Sequence, residues 1–139
     1  MDTRSILQPL FVMAVLNVGM LVWMVATRIP AMAKAGIDAE NATKDSLKAL
    51  PRHVTQIADN YNHLFEQPTL FYAVVLAIAV LGHADATHVY SAWAYTGFRV
   101  IHSGIQSTIN VITIRFTFFI LSWLALAIMI GREAIRIYS

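Results

Sequence analysis

The 139-residue chain predicts an all-α integral membrane protein, a four-helix bundle in antiparallel up-down order, and three observations carry that reading. Hydrophobic residues make up 58% and charged residues 13%, a balance that few soluble domains reach. Apolar stretches recur four times, at residues 6–26, 67–82, 89–110 and 116–131, and only the third holds a charge, Arg99. Short connections follow the second and third stretches, which makes the helices they join antiparallel neighbours. Crossing about 30 Å of hydrocarbon takes about 20 residues. The second and fourth stretches reach that length only with their polar entrances, residues 62–66 and Arg115, at the interface.

Taken in order, a single unit over residues 1–139 holds helices near 6–27, 51–82, 89–110 and 112–135, with a loop at 28–50. The first stretch is longer than the apolar run of about 7–15 residues in a signal peptide, so it reads as a retained helix. Asn17 within it needs a partner inside the bundle. The loop and its borders carry Arg28, Lys34, Lys44, Lys48 and Arg52, and Arg115 lies on the same side. Arg4, Arg132 and Arg136 lie on the other. The excess places the loop in the cytoplasm and both termini outside it. Residues 38–50 alternate charged and small apolar side chains, as a short surface helix does. Pro51 suits the start of the second helix. Pro68 removes an amide donor and frees the Leu64 carbonyl, which predicts a kink over 64–68. His83, Asp85 and His88 read as a polar interfacial turn rather than a metal site, because two histidines and an aspartate on a flexible turn lack defined geometry. The chain has no cysteine, which excludes disulfides, thiolate metal sites and a cysteine nucleophile. Its net charge of +2 is too small to argue for nucleic acid.

Two helical faces carry chemistry. On the second helix, Asp59, Asn62 and Glu66 fall within about 60° of one another at about 100° per residue. The same face continues as Thr69, Ala73 and Ala77, small residues suited to close helix packing in lipid. A carboxylate entering the bilayer on such a face needs a partner. On the third helix, Tyr95, Arg99, His102, Gln106 and Asn110 form one polar stripe about 22 Å long. Facing lipid would cost several kcal/mol per charge, so the stripe predicts contact with the bundle interior or a wet crevice. One reading has Arg99 pair with Glu66 and the other polar groups glue helices together. The other is an intramembrane polar site opening at the cytoplasmic interface, with Arg115 reaching back to its mouth and Arg28 and Arg52 at the rim. Proton or ion movement along the stripe lacks a second polar wall.

Phe98-Arg99-Val100-Ile101-His102, followed by Arg115 at the head of the fourth helix, resembles the Arg-x-x-His of microsomal glutathione transferases and the arginine sixteen residues later. With the length, the four spans, the long first loop and two short turns, nearly the whole chain resembles the MAPEG superfamily, the membrane-associated proteins of eicosanoid and glutathione metabolism. The resemblance implies a homotrimer with sites between neighbouring subunits, and Arg115 as the catalytic group that stabilises a glutathione thiolate. It implies glutathione contacts from Asn62, Glu66, Arg99, His102, Gln106, Arg52 and Arg28. The chain departs from the transferase pattern in spacing Asn62 and Glu66 four apart, in Ala58, and in Gln106 where those enzymes carry a tyrosine. Its Asn-His-x-x-Phe/Glu-x-Pro form is similar to a divergent bacterial branch, which points to a multi-pass protein of the bacterial inner membrane.

The expected function is a glutathione-dependent transferase or peroxidase acting on hydrophobic electrophiles that arrive from lipid. The alternative is a non-catalytic member that binds lipid or serves as an accessory subunit of a membrane complex. The family contains a lipid-binding member without catalysis, and fold alone does not choose between the two.

Overall fold

The computed structural model describes residues 2–139, and among them every regular element is helical. Helix α1 (Thr3–Lys34) starts where the Asp2 side chain accepts the Arg4 amide. Its 32 residues run past the expected end near residue 27, and at 1.5 Å each they reach about 48 Å, more than a bilayer core. A 3-10 turn (Ala39–Asn41) and the short α2 (Lys44–Lys48) follow, α2 being closed by a reciprocal capping box between Thr43 and Ser46. Leu50 packs with Met32 and Val54 and fastens this loop to the bundle. Then come α3 (Arg52–His63), α4 (Gln67–Leu81), α5 (Ala86–Ser107) and α6 (Ile112–Tyr138).

Thr3–Lys34, Arg52–Leu81 and Ile112–Tyr138 are long and apolar enough to cross a membrane. At 22 residues α5 covers about 33 Å, but its polar stripe makes it less apolar than the other three. Heptad spacing explains how the four pack. Ile6, Met13 and Met20 follow one another seven apart on α1 and are buried. Ile57, Leu64, Phe71 and Ile78 do the same along α3 and α4, and Ser122, Leu126, Met129 and Glu133 alternate steps of four and three on α6. The α5 seam reads His88, Ala92, Tyr95, Arg99, His102 and Gln106, all buried. Its polar stripe therefore lies on the bundle axis, as a stripe excluded from lipid must. Asn17 finds its partner in the Tyr72 hydroxyl, 2.8 Å away, and Thr96 donates to the Pro9 carbonyl at 3.3 Å. Large apolar side chains such as Val15, Val22, Leu76, Val80, Leu124 and Ile128 point outward, as a lipid-facing surface requires.

At Pro68 the chain breaks instead of kinking. Helix α3 ends at His63, the Phe65 and Glu66 amides turn back to the Asn62 and His63 carbonyls, and Glu66 sits at φ −91°, ψ −96°, outside helical geometry. Helix α4 then restarts with its heptad phase intact. The break leaves the expected packing face on the outside of the single chain. Asp59, Asn62, Glu66, Thr69, Ala73 and Ala77 do share a side, but every one of them is exposed. Gly82 ends α4 at φ +68°, with the His83 amide reaching the Ile78 carbonyl, and the Asp85 side chain accepts the His88 amide to start α5. At the other end of α5, Asn110 takes the left-handed conformation at φ +48° and its amide bonds the Ile105 carbonyl at 2.7 Å. Asn110 therefore lies in the turn and is not the last residue of the helical stripe, as had been expected.

Candidate functional site

A crevice of about 220 Å³ opens where the α3–α4 break meets α5 and the first turns of α6. His63, Glu66 and Gln67 line it from the break, Arg99 and His102 from α5, and Arg115, Phe116 and Phe119 from α6. Arg99 is 1% exposed. Its partner is Gln67, not the Glu66 that the sequence suggested: Nη1 donates to Gln67 Oε1 at 3.1 Å, and the Tyr95 hydroxyl donates to the same oxygen at 3.4 Å. Tyr95 is held by stacking on Phe71, with ring centroids 4.2 Å apart. Among the described residues neither Arg99 nor Arg115 has a carboxylate within 4 Å. The break accounts for the correction. It swings Glu66 out to an exposed position and carries Gln67 round to Arg99.

Gln106 lies one turn beyond His102, and its Nε2 is 2.9 Å from His63 Nδ1. It is thus occupied inside the bundle and does not line the crevice. Arg115 donates to Asn110 Oδ1 at 2.6 Å, so a neutral amide steers the guanidinium without cancelling its charge. Three polar atoms on the crevice walls are buried without a protein partner: Gln67 Nε2, Arg99 Nε and His102 Nδ1. Buried polar atoms are normally bonded, so this set suits a polar ligand. Two guanidiniums face one exposed carboxylate, which makes the crevice attractive to an anion. Residue by residue, Glu66, Arg99, His102 and Arg115 come together here. Arg28 and Asn62 line a second crevice between α1, α2 and α3, and Arg52 lies exposed at the start of α3, on neither. Gln67 and His63 had not been singled out as site residues. The signal for Gln67 was its place beside Pro68, where a broken helix turns a side chain towards its neighbours.

The model of the MAPEG family matches residues 6–135, nearly the whole chain. The chain belongs to the MAPEG family. No curated protein and no solved structure matches it. Membership makes this a membrane protein related to glutathione and eicosanoid metabolism, in keeping with the apolar spans. The crevice of this MAPEG chain lies at the end of the bundle where its arginine-bearing turn is found.

At the opposite end, about 27 Å along α6 from Arg115, the MAPEG chain has a second polar cluster. Glu133 is buried and its Oε1 lies 2.6 Å from His83 Nδ1, while its Oε2 lies 3.4 Å from His88 Nε2. Arg132 reaches Asp85 Oδ2 at 2.7 Å, and Arg136 donates to the His83 carbonyl. Partial burial works against charge on the Asp85 carboxyl, but the His88 amide and the Arg132 guanidinium outweigh it and hold the carboxyl below its ordinary value. This cluster ties the α4–α5 turn to α6. Glu133 was missed in the sequence, although it continues the buried spacing of Leu126 and Met129.

Proposed function

We propose that this protein is a glutathione-dependent transferase or peroxidase for hydrophobic electrophiles, with Arg115 stabilising the thiolate. The observation that carries the reading is an arginine that, among the described residues, has no carboxylate partner, steered by Asn110 at a crevice whose walls hold three buried polar atoms without a partner among those residues. Free thiols ionise near pH 8.5. Lowering that by about two units takes about 2.7 kcal/mol of preference for the thiolate, which one guanidinium in a poorly hydrated crevice supplies. Arg99 and His102 offer donors to a glutathione carboxylate, and Glu66 suits its ammonium group. The thiolate sulfur then bonds to an electrophilic carbon and displaces its leaving group. With a hydroperoxide it attacks the terminal oxygen and breaks the O–O bond: the alkoxide leaves and takes a proton from water, and a second glutathione converts the resulting sulfenic acid to the disulfide and water. Phe116 and Phe119 give an apolar wall for the second substrate, which enters from lipid.

A crevice of about 220 Å³ lies below the roughly 300 Å³ at the small end of ligand pockets. A homotrimer that adds a neighbour's wall, bringing Asn62, Arg28 and Arg52 of adjacent subunits to the ligand, fits that size. A second reading keeps the crevice without the chemistry, as a lipid-binding or accessory subunit. What favours it is Gln106, which stands where the transferases carry a tyrosine and is engaged with His63.

One titration separates the two. Reduced glutathione added to purified protein near neutral pH should give thiolate absorbance and raise the thermal midpoint. Arg115→Leu should abolish the absorbance and lower turnover of a small aromatic electrophile by about tenfold per 1.4 kcal/mol lost, with Arg115→Lys intermediate because it keeps the charge but not the planar fork. Wild-type protein showing neither thiolate nor stabilisation refutes the enzyme reading and leaves the second.

A further inference from the structure

The second crevice, of about 350 Å³, lies between the end of α1, the short α2 and α3. Arg28, Lys44 and Lys48 line it, against one carboxylate, Asp59. None of the three cations has a carboxylate within 4 Å among the described residues, and the one side-chain contact of Arg28 is a distant sulfur, Met24 Sδ at 3.9 Å. Cations on a soluble face are commonly left to water, but these surround a cavity with an apolar floor, Leu50 and Val54. The floor is buried and pins the segment that carries the lysines, and the Thr43–Ser46 capping box closes that segment. The cations are therefore presented by an ordered element.

Below Arg28 on the same helix, Leu21 and Val25 fall about 20° and 60° round from it. They are 40% and 46% exposed. An anion site thus stands directly over an apolar strip of α1, just past the end of its uncharged stretch 6–26. A soluble phosphate has no use for such a strip, whereas a phospholipid fits both parts. We propose that this crevice binds the phosphate headgroup of an anionic glycerophospholipid, with an acyl chain lying along Leu21 and Val25. Lys44 and Lys48 carry the selectivity for negative charge, since they form the outer wall where a second headgroup charge would lie. The inference does not rest on the glutathione reading: that reading uses Arg28 and Asn62 of this crevice, whereas Lys44 and Lys48, which the test changes, have no part in it.

The test is native mass spectrometry of the purified protein in detergent with phosphatidylglycerol, phosphatidylcholine or inorganic phosphate added separately. Phosphatidylglycerol should be retained at least tenfold more strongly than phosphatidylcholine, and inorganic phosphate should neither bind measurably nor shift the thermal midpoint. The double change Lys44→Gln, Lys48→Gln should weaken phosphatidylglycerol roughly 20- to 30-fold, each lysine near an anionic headgroup being worth about fivefold. Both lysines are exposed, so folding should survive, and an unchanged oligomer peak in the same spectra checks it. Lys34→Gln, a cation of α1 outside this crevice, should leave retention unchanged. Equal retention of the two lipids, an unaffected double variant, or an equal loss in Lys34→Gln overturns the proposal. A midpoint shift with inorganic phosphate that matches the lipid's overturns it in favour of a soluble anion.

Discussion

Gln67 Oε1 accepts from both Arg99 and Tyr95, and among the described residues it is the acceptor that the buried guanidinium finds. A hydrogen bond to a charged group is worth about 1.5–3 kcal/mol. Gln67→Leu should therefore lower unfolding free energy in mixed micelles by about that much, while Gln67→Glu should recover it by giving Arg99 an ion pair. Equal stability of wild type and Gln67→Leu would show that Arg99 is held elsewhere. Asn110 plays a different part, because its left-handed backbone and its hold on Arg115 are separable. Asn110→Gly keeps the backbone conformation and removes the acceptor. Expected is unchanged stability with a several-fold loss of glutathione-dependent turnover, and a variant as active as wild type would remove Asn110 from the site. The stripe Tyr95, Arg99, His102, Gln106 was legible because a heptad pattern places polar groups on the axis whatever surrounds them. Gln67 was not, since its direction depends on the angle of the break at Glu66, which proline requires but does not specify.

The α4–α5 turn is where a pH dependence is legible. With the Asp85 carboxyl held below its ordinary value of 3.8, its contribution is fully present above that value and is lost as pH falls through the lowered one. Asp85→Asn keeps an oxygen to cap α5 and loses the pairing with Arg132. The thermal midpoint of wild type should exceed that of Asp85→Asn by a constant margin from pH 7 down to about pH 4.5, and the margin should close only below pH 3.8. Closure already well above pH 4.5 would show that the Asp85 carboxylate does not set the margin. The turn itself was readable from His83, Asp85 and His88, a polar run between two apolar stretches. Its attachment to α6 was not, because Glu133 lies fifty residues from His83 and no local pattern links them.

Over the whole molecule, the number of helices and their order follow from composition and periodicity, which any membrane bundle must satisfy. Which faces meet does not, and the outward side of α3 and α4 shows why. Asn62, Glu66, Thr69, Ala73 and Ala77 line up as a packing face yet are exposed in the single chain. A carboxylate and small residues on a lipid-facing surface are costly and unusual, so the face should close against other copies, as the trimer implied by family resemblance would have it. The double change Ala73→Phe, Ala77→Phe adds bulk where backbones would approach. It should convert a trimer into monomers by native mass spectrometry, while Ile128→Phe on the outward side of α6 should leave the trimer intact. A wild type that is monomeric at every concentration, or a trimer that survives the alanine changes, would sink the idea. The same samples locate the ligand. If glutathione-dependent stabilisation disappears with the trimer, a neighbour completes the small crevice around Arg99 and Arg115; if it persists in the monomer, one chain holds the whole site and Asn62, Arg28 and Arg52 stand outside it.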